Sequence, residues 1–241
     1  MIKKKLLVFI LASALILSAA SASAISDSGV LASEEPERYV VFVKPQKTFV
    51  ALGSVFIVNV SISVPLEREE IQGYELQLYY DRTMLEGISM ELPKDHFLTP
   101  KIDPQNIFVV ECKFYAEDGY GYVGLTQLSP EFGNKGNGTV VTATFKALLK
   151  GNASIEIGDV NLGTPTSVKI WPNDYIILNG SVTVIPSDLN SDGKVDILDL
   201  AAVAEAFGSC AEEPRWNPIA DINEDRNVDI VDLTLTALTF N

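Results

Sequence analysis

Two periods divide this chain. From about residue 38 to residue 185 the apolar side chains recur at every second position or in short unbroken runs. After Pro186 they recur every three to four. The first pattern predicts strands at Tyr39–Lys44, Val55–Val64, Ile71–Tyr80, Ile107–Phe114, Tyr120–Leu128, Val140–Leu149, Ala153–Ile157 and Tyr175–Ile185. Pro65 with Glu67–Glu70, Asp118-Gly119, Gly133–Gly136, Gly151-Asn152 and Trp171–Asn173 separate them as turns. Tyr74, Leu76, Leu78 and Tyr80 share one face and Glu75, Gln77 and Tyr79 the other, the alternation of a half-buried antiparallel strand. About 150 residues of short strands with no helical period predict a mainly β fold, a β-sandwich with a sizeable core.

The tail changes period because it changes structure. Leu200, Val203, Ala204 and Phe207 predict one helical face, and Leu233, Ala237 and Phe240 a second. Each helix begins inside a loop of repeated design. In the first, side-chain oxygens stand at loop positions 1, 3, 5, 9 and 12 (Asp188, Asn190, Asp192, Asp196, Asp199), with the main-chain carbonyl of Lys194 at position 7. The second repeats this with Asp221, Asn223, Asp225, Asp229 and Asp232, and Asn227 at position 7, starting 33 residues later (221 − 188). Oxygen donors at this spacing suit Ca2+, so two calcium sites are expected. Val195 and Val228, both at position 8, are expected to pair across the loops. Position 6 requires a left-handed turn; it is Gly193 in the first loop and Arg226 in the second, which predicts a weaker second site. A tail with so little core is expected to fold only with its metal.

Charge sharpens this reading. Residues 186–241 hold twelve acidic and three basic residues, a net of −9. The chain carries −14, or −17 once Lys3, Lys4 and Lys5 are removed, which leaves −8 (−17 + 9) for residues 25–185. Acid this concentrated calls for cations and excludes nucleic acid as a partner. The three lysines, the apolar Leu6–Ile16 and Ala22-Ser23-Ala24 make residues 1–24 a cleavable secretory signal. Residues 25–37 then form a leader, 38–185 the sandwich and 186–241 the calcium tail. The mature protein is expected outside the cell or on its surface, touching membrane only through the cleaved signal. Sequons at Asn59, Asn137, Asn152 and Asn179 are candidate glycosylation sites. Cys112, alternating with Phe108, Val110 and Phe114, is expected to be a buried free thiol rather than half of a Cys112–Cys210 bridge. His96, the one histidine, is expected in a solvent-facing loop. With no nucleophile–base set in the sequence, no enzyme is expected.

The tail resembles a type I dockerin, the duplicated calcium module that plugs into cohesin domains; the motif is Asp188–Leu200 and its echo Asp221–Leu233. In that family loop positions 10 and 11 help choose the partner. Here they are Ile197-Leu198 and Ile230-Val231, apolar where hydroxyl residues are common. That implies either an apolar partner groove or side chains that pack within the tail. The β-region resembles a cohesin through Ile71–Asp81 with Leu85 and Gly138–Lys146, which implies a jelly-roll sandwich of about nine strands, followed by the small α domain of two paired calcium-loop–helix repeats. The resemblance implies a secreted, calcium-dependent adaptor in an extracellular polysaccharide-degrading or surface assembly. Its partner would bear a complementary dockerin or cohesin, and self-association is open. Two alternatives stand beside it: a carbohydrate-binding module, with Tyr79, Tyr115, Tyr120 and Tyr122 as a sugar platform, and a calcium-rigidified structural surface protein.

Overall fold

The structure, a computed structural model, describes residues 38–98, 106–128, 133–166, 170 and 174–240. The secretory signal and leader expected at residues 1–37 lie outside the described residues. Eleven strands form the sandwich: β1 (Tyr39–Lys44), β2 (Lys47–Ala51), β3 (Val55–Val64), β4 (Gly73–Tyr80), β5 (Leu85–Glu91), β6 (Ile107–Tyr115), β7 (Tyr120–Gln127), β8 (Gly136–Ala147), β9 (Gly151–Gly163), β10 (Tyr175–Leu178) and β11 (Gly180–Ile185). They build a five-stranded sheet in the order β10-β1-β3-β8-β5 and a six-stranded sheet in the order β2-β11-β9-β4-β7-β6.

Two chain runs each supply both sheets. The run through β1 and β2 crosses from the five-stranded to the six-stranded sheet, and the run through β10 and β11 does the same at Asn179. Counted as runs, eleven strands become nine (11 − 2), the number the resemblance implied. These two runs also make the parallel pairs, β1 with β10 and β11 with β2; the other pairings are antiparallel.

The core fills the space between the sheets, and the alternation of β4 places it. Tyr74, Leu76, Leu78 and Tyr80 are buried while Glu75 and Tyr79 face out, as the period predicts. Phe145, Tyr80 and Phe114 pack edge to face with centroids 5.1–5.4 Å apart, geometry that adds about 0.5–1.5 kcal/mol per pair beyond burial. Gly87 stands beneath this cluster, where a Cβ would come within 2.7 Å of the Phe114 ring.

Three expectations need correction here. β2 and β5 were not foreseen as strands. β2 has Phe49 exposed and is held by a parallel ladder to β11, 134 residues away (181 − 47), a pairing no local pattern encodes. The alternation through Cys112 is broken by a bulge between Val109 and Glu111. Phe108 and Val110 are therefore exposed, and Cys112 is half-buried rather than fully inward. Both cysteines are free, and burial, with Glu91 nearby, pushes the Cys112 thiol up to about 11.

His96 is the third. It is 1 % exposed, not solvent-facing. Its Nδ1 accepts the Leu98 N–H at 3.1 Å, and its Nε2 lies 2.6 Å from the Tyr74 hydroxyl, which donates to the Val140 carbonyl at 2.8 Å. Burial holds the imidazole near a pKa of about 4, well below its ordinary value, so it is a neutral structural group at pH 7.

Candidate metal centre

The sandwich hands over to the tail without slack. β11 ends at Ile185, and Ser187 is already buried, its hydroxyl 2.5 Å from that of Thr239 at the far end of the tail. Between them lie α1 (Ile197–Ala206), α2 (Ile230–Leu238) and a two-residue ladder joining β12 (Ser209–Cys210) to β13 (Asn227–Val228). Lys150, in the β8–β9 turn, makes an ion pair with Glu224 of the second loop.

Each loop is wound around its own first and last carboxylates. In the first, Asp188 accepts the N–H groups of Asp192 (3.2 Å) and Gly193 (3.0 Å), and Asn190 Oδ1 accepts that of Asp192 (2.9 Å). Asp199, fully buried, reaches back to accept from Leu189 (2.7 Å), Asn190 (3.2 Å) and Asp196 (2.9 Å). Burial pushes the Asp199 carboxyl up, but the N–H donors of Asp196, Leu189, Asn190 and its own backbone outweigh it and hold it below the usual carboxylate range. The second loop repeats these bonds. Asp221 accepts from Asp225 (3.1 Å) and Arg226 (2.8 Å), and Asn223 Oδ1 from Asp225 (3.0 Å). Asp232 accepts from Ile222 (2.8 Å), Asn223 (3.3 Å) and Asp229 (2.8 Å).

The position-9 aspartates start the helices. Asp196 accepts the Leu198 N–H and Asp229 that of Val231, while Asp199 and Asp232 return the bond at the third helical position, a capping box at each end. Such caps answer N–H groups that a helix start leaves unpaired. The short Asp at position 12 is thereby explained: the helix begins close enough for it to fold back under the loop. Positions 4 and 6 are left-handed in both loops, with φ 60° at Ser191 and 88° at Gly193, and 61° at Glu224 and 72° at Arg226. The left-handed demand at Arg226 is therefore present, on a side chain that disfavours it.

The donors gathered are all oxygen, which fits a hard cation of calcium size. Among the described residues no three His, Cys, Asp or Glu side chains stand together as a ready-made metal site. Each loop's expected set also includes an amide and a main-chain carbonyl, Asn190 and Lys194 in the first and Asn223 and Asn227 in the second.

Two details differ from expectation. Val195 and Val228 are both buried, but Val228 pairs with Ser209 in the ladder and Val195 lies in none. The buried helical face is also rotated from the apolar one. It runs through Asp199, Val203 and Ala206, and through Asp232 and Thr236, leaving Ala204, Phe207, Ala237 and Phe240 exposed. The loops claim Asp199 and Asp232 for their centres, and the helices rotate with them. The tail's small core is Val203, Ala206, Ala220 and Val228, flanked by Leu189, Trp216 and Leu233.

Ile197, Leu198, Ile230 and Val231 are exposed by 65, 61, 64 and 44 %. They do not pack within the tail, which removes one of the two readings of their apolar character. Asn137, Asn152 and Asn179 are exposed, whereas Asn59 is half-buried on the central strand β3, accepting the Thr142 hydroxyl at 2.8 Å.

The tyrosines lie on the outer face of the six-stranded sheet. Tyr79, Tyr120 and Tyr115 sit opposite one another on β4, β7 and β6, with centroids 5.9 and 4.9 Å apart and the Tyr115–Tyr120 pair stacked. Lys113 Nζ lies over the Tyr115 ring, 4.6 Å from its centroid, and Gly158 lies against Tyr79. Tyr115 and Tyr120 turn ring faces toward each other, while Tyr79 is tilted by 43° to Tyr120, so the row is not one flat face.

Residues 186–237 match the family model of the dockerin type I domain. No curated protein matches the chain. Among solved structures the chain is similar to a chain of a type I cohesin–dockerin complex from Clostridium thermocellum, with 20 % identity over 61 % of this chain and 93 % of that one and a TM-score of 0.48. It is similar to a type II cohesin domain from the cellulosome of Acetivibrio cellulolyticus (16 %, 61 % and 95 %, 0.49). A non-cellulosomal cohesin from the archaeon Archaeoglobus fulgidus is likewise similar (14 %, 63 % and 94 %, 0.46). The chain's C-terminal region, residues 186–237, thus carries the pattern of a dockerin type I domain.

Proposed function

We propose that this chain is a secreted, calcium-dependent adaptor without catalytic activity of its own. Residues 186–241 are the plug, ordered by two calcium ions, and residues 38–185 the sandwich that presents a second interaction surface. The observation that carries the reading is the loop pair: the backbone-to-carboxylate bonds of Asp188–Asp199 recur at Asp221–Asp232 within a dockerin type I match. Asp188, Asn190, Asp192, Asp196 and Asp199, with the Lys194 carbonyl, would hold one ion. Asp221, Asn223, Asp225, Asp229 and Asp232, with the Asn227 carbonyl, would hold the other. Bound calcium would offset the repulsion among these carboxylates. The chain's own part is to cap the helices and direct the loop N–H groups inward. Ile197-Leu198 and Ile230-Val231, exposed at the two helix starts, form an apolar contact for a complementary cohesin-type partner.

An extracellular setting, and a role in polysaccharide-degrading or surface assemblies, follow from what dockerin-bearing proteins do. The sugar-platform alternative is weakened by the uneven row, in which Tyr115 and Tyr120 stack and Tyr79 is tilted. Calorimetric titration of the full chain with calcium, alongside far-UV circular dichroism, tests the reading. Two binding steps with a gain of helix are expected; no uptake, or a tail equally helical in EDTA, overturns it.

A further inference from the structure

The six-stranded sheet ends at β6, which has a ladder neighbour on one side only among the described residues. It is nine residues long, and Phe108, Val109 and Val110 are exposed by 55, 43 and 52 %. Three successive exposed apolar residues on a long edge strand offer apolar surface to another strand. The bulge between Val109 and Glu111 confines regular geometry to Glu111–Tyr115.

We propose that β6 is a self-association edge, through which two copies of this chain pair antiparallel about a two-fold axis at Cys112. The side chains select that register. With the axis there, Glu111 lies opposite the second copy's Lys113 and Lys113 opposite its Glu111. Moving the axis to Glu111 or to Lys113 sets like charges against each other, and a shift of half a step puts outward side chains opposite inward ones. Glu111 and Lys113 already share one face and touch within the chain at 2.5 Å, so exchange between copies needs only rotamer changes. This pairing uses neither the tail nor calcium and stands apart from the adaptor reading. The contact is small, which makes a weak dimer.

Sedimentation velocity on the full chain tests it, in calcium and in EDTA, up to about 200 µM, a range suited to a weak interface. A monomer–dimer equilibrium of equal strength in both conditions is expected. E111K and K113E should each raise the dissociation constant about tenfold, and the double variant should restore it to within about threefold, because charges opposite one another on paired strands act as a pair. A monomer throughout, a dimer that EDTA dissolves, or a double variant no better than the singles overturns the proposal; the second outcome assigns association to the tail.

Discussion

Replacing Arg226 with glycine is expected to tighten the second calcium site. Arg226 sits at φ 72°, where a Cβ crowds the following carbonyl, while Gly193 meets the same demand in the first loop at φ 88°. A non-glycine residue held there costs about 1–2 kcal/mol, and glycine's greater freedom in the unfolded chain returns part of that, leaving about 1 kcal/mol. Because the tail's folding is proposed to be coupled to metal, that strain is drawn from the binding free energy, and about 1 kcal/mol is about fivefold in affinity. The guanidinium adds a second effect, since it lies on an acidic loop, and its own partner Glu212 is distant at 3.7 Å and highly exposed. R226A separates the two: it removes the charge and keeps the Cβ. The gain from wild type to R226A should shrink in high salt, whereas the further gain from R226A to R226G should stay near fivefold at any salt. Calorimetric calcium titration of the full-length variants measures both, and G193A should weaken the first step by a similar factor. If R226G binds no more tightly than R226A, backbone strain does not set the difference between the sites.

Acidification should destabilise the sandwich through His96. Its folded pKa, about 4, lies below the ordinary 6.5, so the unfolded chain takes up the proton first. The contribution is whole above about pH 6.5 and is lost as the pH falls towards 4, up to about 3 kcal/mol; urea melts of wild type and H96Q across this range should differ in slope. D199A should orphan the N–H groups of Leu189, Asn190 and Asp196, remove the first calcium step and lower the helical signal; each donor left buried costs about 1–3 kcal/mol. Gly87→Ala should destabilise the sandwich by about 1–3 kcal/mol in denaturant melts, because its Cβ would press on Phe114 in the core cluster.

The two repeated loops could be read from the chain because everything that shapes them lies within twelve residues. The carboxylate spacing and the left-handed demand at position 6 are local to each loop, whereas the capping boxes and the left-handed position 4 appeared only with the folded loop. The strand alternation of β4 was equally legible, since a period of two decides which side chains face the core. Pairings between distant segments were not. The β2–β11 ladder, the switch of two runs between sheets and the Val228–Ser209 pair join residues that carry no mark of one another. His96 looked exposed beside Lys94 and Asp95, and only the covering strands bury it against Tyr74. The tyrosine row likewise existed as four separate residues until β4, β7 and β6 brought three of them into register and stacked Tyr115 on Tyr120. Short-range geometry belongs to the sequence because few atoms take part in it, whereas burial and register depend on the whole sandwich closing.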